Sequence, residues 1–148
     1  MPEISMSKDV RPSITTRLVV AKTLGMLFGL MALVGVSIIL PESGWLPRLG
    51  LLFWYVTMGG FIGIIGVLDL HPVLNIQLPW WIRGPFVGAW MNFVLVFFAY
   101  DLLTEVIRGA SGHELSPFWF VLEGGVIGAI IGWASTYFGG EGPATLEN

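Results

Sequence analysis

Four long apolar runs, separated by short polar or proline-containing segments, set the pattern of this chain. They cover residues 18–40, 49–70, 85–107 and 117–138. Each holds about 22 residues, or about 33 Å of α-helix at a rise of about 1.5 Å. That is enough to cross a bilayer core of about 30 Å. None of the runs alternates apolar and polar residues with period two, as the strands of a membrane barrel would. The pattern predicts an all-α, integral membrane four-helix bundle built from two helical hairpins.

The breaks between runs carry turn chemistry. Pro41 ends the first run, and Pro47 suits the opening turn of the second helix. Asp69, His71 and Pro72 end the second run, with Pro72 as the stop. Ser116 is placed to cap the fourth helix, with Pro117 at its first position. Residues 71–83 are too short and too proline-rich to span, and Trp80, Trp81 and Arg83 resemble an interfacial belt. A re-entrant loop lined by Asn75 and Gln77 is the alternative for this segment. The expected organisation is a flexible cytoplasmic arm at 1–16, a transmembrane domain at 17–138 and a flexible tail at 139–148. Arg17 and Lys22 are expected to snorkel to headgroup level at the start of the first helix.

Within the second and fourth runs the chain nearly repeats itself. FWYVTMGGFIGII begins at Phe53 and FWFVLEGGVIGAI at Phe118, with eight of thirteen positions identical. A duplicated hairpin with an even number of spans keeps its orientation and gives parallel repeats. Chance similarity between Gly-, Ile- and Trp-rich helices is the competing explanation, and the first and third runs match poorly in the same alignment. The largest difference within the repeat is Met58 in one copy against Glu123 in the other.

Composition sharpens the class. Hydrophobic residues make up 55% and charged residues 11% of 148 positions, with a mean hydropathy of +0.79. Soluble domains average about 25% charged. The chain has no cysteine, which removes disulfide, thiolate and iron–sulfur chemistry. A net charge of −3 with no basic patch gives no reason to expect a nucleic-acid partner. The first apolar run is longer than a signal-peptide core and no small-residue cleavage site follows, so it is expected to remain in the mature protein. Lys8, Arg11, Arg17 and Lys22 in the amino-terminal flank and Arg83 after the second run outnumber Arg48 and Arg108 on the other side. The positive-inside rule then places both termini in the cytoplasm, expected to be that of a bacterium with the chain in its inner (plasma) membrane.

Glycines four residues apart lie in or at the edge of every run: Gly25 and Gly29; Gly59 and Gly63; Gly84 and Gly88; Gly124, Gly128 and Gly132. Such spacing clears one helix face for close packing. Pairing of the second and fourth helices is the simplest arrangement. A homo-oligomer or partner-subunit interface along Gly124, Gly128 and Gly132 is the alternative.

The candidate polar path comprises Asp101, Glu105 and Glu123 with Asn92 on the third helix. Asp101 and Glu105 share a helix face, and Asp101 and Glu123 are expected to lie deeper than Glu105. A charged carboxyl at mid-bilayer costs about 2.5–3.5 kcal/mol, so three explanations compete. The acids line a cavity for a cation or for protons, they pair with Arg108, Arg48 or His113, or they face a cation on a partner subunit. Asn92 is more simply a hydrogen-bonding contact to a neighbouring helix. Asp69 and His71 suggest a salt-bridged cluster with Arg17, Lys22 and Arg83, and they lack a third ligand for a metal. No zinc-protease, nucleophile-elbow or phosphate-loop motif is present, so neither enzymatic activity nor a cofactor is expected. Two functions remain: a transporter-like protein or transporter subunit with a carboxylate-lined path for a cation or proton-coupled solute, and a non-catalytic accessory subunit docking through its glycine faces.

Overall fold

The computed structural model describes residues 12–71 and 73–147. Lys8, Arg11 and Pro72, with most of the expected amino-terminal arm, lie outside them. The described residues form four long helices: α1 at Ile14–Ile39, α2 at Trp45–Ile65, α3 at Trp80–Ser111 and α4 at Trp119–Gly139. All four are long and apolar enough to cross a membrane. Their outer faces are rich in large apolar side chains: Ile38, Trp90 and Val126 are all more than half exposed, a surface compatible with a membrane setting.

α1 and α2 form one antiparallel hairpin and α3 and α4 the other, with α1 and α4 as the principal contact between the two hairpins. Glycine closes each hairpin. A Cβ on Gly59 would strike the Ala21 carbonyl, and one on Gly25 would strike the Tyr55 carbonyl. In the second hairpin, Cβ atoms on Gly84 and Gly88 would strike the carbonyls of Gly128 and Gly124. The glycine strips therefore seat each helix on its hairpin partner, and α2 does not pair with α4 through them. Gly124 and Gly128 are occupied inside the chain, and Gly132 lies against Gly84 Cα and the Trp80 carbonyl, so this strip offers no free face to another subunit. Gly63 lies against Leu18 and Ala21.

The end of the bundle where α1 begins and α2 and α4 end is closed by arginines turned inward. Arg17 is 1% exposed, so it does not snorkel outward. Its Nε donates to the Gly63 carbonyl at 3.2 Å and its Nη1 to Thr136 Oγ1 at 3.2 Å and to the Gly140 carbonyl. Arg83 donates to the Leu68 carbonyl and pairs with Glu141. These carbonyls belong to the last turns of α2 and α4 and the segments just beyond, where helical partners run out. Arg48 does the same at the opposite, distal end. It donates to the carbonyls of Leu40 and Pro41 as α1 gives way to a 3-10 turn at Pro41–Ser43.

α2 stops at Ile65, earlier than its hydropathy suggests. A Cβ on Gly66 would overlap the Arg17 guanidinium, and the Gly66 carbonyl accepts from Gly142 N at 3.0 Å. Residues 69–71 and 73–78 then pair antiparallel, with Leu78 N donating to the Asp69 carbonyl and a bridge between Leu70 and Gln77. Asn75 and Gln77 are exposed there, and Trp80, Trp81 and Arg83 belong to the first turn of α3. His71 Nδ1 accepts from Val73 and Leu74 N, and Arg83 pairs with Glu141 instead of Asp69. The expected loose tail docks here through Glu141, Gly142 and the buried Thr145. α4 starts at Trp119, two residues after Pro117, through a turn in which Ser116 Oγ accepts from Phe118 N at 3.3 Å.

Two expectations test this packing. Gly88→Ala should destabilise the bundle by about 1–3 kcal/mol, measured by thermal or denaturant unfolding in detergent. Gly125→Ala, whose new Cβ would meet only ordinary contacts at 3.7 and 3.8 Å, should cost nothing. Arg17→Gln should cost about 2–4 kcal/mol by orphaning carbonyls of two helices. Arg17→Lys should not restore the loss, because an ammonium cannot reproduce the guanidinium fork. The exposed Lys22→Gln serves as the neutral control.

Candidate functional site

Between the distal halves of the helices, a cavity of about 250 Å3 opens, with walls from all four. It lies beside the distal end of the glycine contacts, where Gly29 still seats on the Leu52 carbonyl. Gly25 holds α1 against α2 at Tyr55. Beyond that level α1 contributes Phe28, Met31, Ala32 and Val36 to the cavity wall. Across it stand Tyr55 of α2 and Phe120, Glu123 and Ile127 of α4, while Leu103 and Val106 come from α3. Glu123 is the only ionisable carboxyl or base among the lining residues.

A polar network backs this cavity. Asn92 is fully buried, and glycine makes its seat: a Cβ on Gly124 would stand 2.7 Å from Asn92 Cβ. From there Asn92 Nδ2 donates to the Phe120 carbonyl at 2.9 Å, and Oδ1 accepts from Trp54 Nε1 at 3.2 Å. The network thus ties α2, α3 and α4 together one turn from Glu123. The adjacent Tyr55 is 2% exposed and donates through its hydroxyl to Glu123 Oε2 at 3.1 Å. Among the described residues no ion pair involves Glu123, and its side chain is exposed at the rim of the cavity.

The other two acids stand apart. Asp101 and Glu105 line a different, wide-open cavity with Ile39, Leu40, Pro41, Glu42 and Ser43. That places Asp101 level with the end of α1, shallower than Glu123. α3 leaves helical geometry once before this point, at Ala99 (φ −118°, ψ 22°). No proline or glycine lies within a turn of Ala99 to account for the kink. Glu105 pairs with Arg108 at 2.7 Å, and Arg108 with Glu114 at 2.9 Å. Both pairs are well exposed and add little stability. The acidic row therefore divides: Glu123 and Asn92 belong to the internal cluster, and Asp101 and Glu105 to the distal surface.

Tyr55 carries no signal of its own in the sequence beyond its place in the two similar stretches. Aligned copies place Tyr55 opposite Phe120 and Met58 opposite Glu123. At each position one copy carries a polar group that the other lacks, and in space the two polar groups bond to each other. Comparison with known proteins adds nothing to this geometry: no family model, no curated protein and no solved structure matches the chain.

Proposed function

We propose that this chain is a small integral membrane protein of the transport class, or the subunit of a transporter, in which Glu123 serves a cation or a proton-coupled solute. The reading rests on one observation: a carboxyl within an apolar helix, bonded to a single tyrosine hydroxyl, faces an apolar cavity. An ionised carboxylate there carries a cost in hydrocarbon of about 2.5–3.5 kcal/mol at mid-bilayer. A group kept at that cost in a helix that could read Met, as its counterpart Met58 does, points to use. Asn92 supports the site from behind by fixing Trp54 and the α4 backbone. Asp101 and Glu105 would act at most as a surface acidic patch on the approach. In this proposal the termini lie in the cytoplasm of a bacterial cell and the distal end faces out, following the Lys and Arg asymmetry. The role is non-enzymatic. The hairpins descend from one duplicated unit, which the similar seating of Gly59 on Ala21 and of Gly124 on Gly88 supports.

A second reading, as an accessory subunit of a membrane complex, draws on a different feature. Phe86, Trp90, Phe93 and Phe97 form a continuous aromatic ladder along the outside of α3, which Phe118 extends. A partner helix or a second copy of the chain would dock there, because the glycine faces are already taken.

In proteoliposomes, Glu123→Gln should abolish cation- or pH-dependent flux while leaving the unfolding profile unchanged, and Asp101→Asn should retain most of it. Absence of flux from the wild-type protein, together with co-purification of a fixed partner, would establish the accessory role instead.

A further inference from the structure

The distal cavity has two chemistries that few ligands satisfy together. Its walls are apolar, with Phe28, Tyr55 and Phe120 supplying aromatic rings. Its one acid is the Glu123 carboxyl, which has a hydroxyl partner and no cationic one among the described residues.

An acyl chain or another neutral apolar molecule would fit the walls and leave the carboxylate without a counter-ion. A bare inorganic cation would meet the carboxylate but find too few oxygen ligands. Calcium needs about six to eight oxygens, and magnesium holds a near-octahedral shell. A ligand with a positive head and an apolar body satisfies both parts at once. Aromatic rings add a further attraction for such a head, as in sites that recognise quaternary ammonium groups.

The position of the mouth narrows the class. Met31 of α1 and Glu123 of α4 are both exposed at the rim. The opening therefore lies on the side of the bundle between these helices, where a membrane-dissolved molecule would arrive. A volume of about 250 Å3 falls just below the roughly 300–1,000 Å3 range of drug-sized sites. The ligand is therefore small.

We propose that this cavity binds a small lipophilic ammonium cation, its charged head against Glu123 and Tyr55 and its apolar body among Phe28, Ala32, Phe120 and Ile127. The proposal rests on the transport reading of Glu123 and adds a substrate class to it. No covalent step is involved.

The test uses the full chain in nanodiscs and radiolabelled benzyltrimethylammonium as probe. Saturable binding is expected, competed by unlabelled probe and not by benzenesulfonate, which has the opposite charge. Glu123→Gln should weaken it at least tenfold and Tyr55→Phe severalfold, while Asp101→Asn should leave it unchanged. Ala32→Leu, which fills the cavity and leaves the carboxylate in place, should also block binding. It decides the matter even if Glu123→Gln fails to fold. Binding that is non-saturable, that survives both Glu123→Gln and Ala32→Leu, or that benzenesulfonate displaces would overturn the proposal. Flux of protons or an inorganic cation that depends on Glu123, without saturable probe binding, overturns this inference and leaves the transport reading standing. Probe binding that depends on Glu123, without any flux, does the reverse.

Discussion

Backbone touching backbone is the contact on which this bundle depends. For helices of membrane-spanning length and composition, surrounded by hydrocarbon, an apolar side chain would gain nothing by leaving lipid for protein, and adhesion would come from close packing and polar contacts. Gly25 and Gly59 in one hairpin, and Gly84, Gly88, Gly124 and Gly128 in the other, remove the side chains that would hold the helix axes apart. The same contacts fix where the helices diverge. Past Tyr55 the α1 strip of glycines against α2 ends with Gly29, and larger side chains from four helices enclose space instead of filling it.

Helix ends impose the second constraint. A helix leaves its last carbonyls without internal partners, and leaving such groups unpaired away from water costs free energy. Arg17, Arg83 and Arg48 meet these carbonyls with guanidinium donors, and the favourable interaction of a cation with a helix carboxyl end adds to the bond. Arg17 also explains glycine at 66 and 139, since a Cβ at either place would collide with it. One buried side chain thereby holds α1, α2 and α4 in register at the end where α1 begins and α2 and α4 finish.

Against this background Glu123 is the exception. Arg17 and Arg48 each have three acceptors, Arg83 has two and a buried Nε without a partner among the described residues, and Asn92 has a donor and an acceptor on different helices. Glu123 has one hydroxyl and an apolar cavity. A group whose surroundings satisfy only part of its bonding capacity is suited to meeting a ligand, whereas a fully bonded one such as Arg17 is suited to holding a structure.

Hydropathy alone determined that the chain makes four helices of membrane-spanning length, since twenty-odd consecutive apolar residues leave no other economical arrangement for the backbone. Glycine spacing marked which faces would pack closely, and the Met58-to-Glu123 difference marked the unusual acid. Partner choice was not legible. Glycine strips on different helices look alike in sequence, and only the three-dimensional contacts assign Gly124 and Gly128 to Gly88 and Gly84. Nor could local patterning separate Asp101 from Glu123. Depth depends on where α1 ends beside α3, and bonding depends on Tyr55, a residue distant along the chain. Arg17 shows the same division: its charge at a helix start suggested an outward reach, and the carbonyl ends of α2 and α4 turned it inward. Composition and period act along one segment and are written in it, whereas the pairing of polar groups between segments exists only after the helices have met.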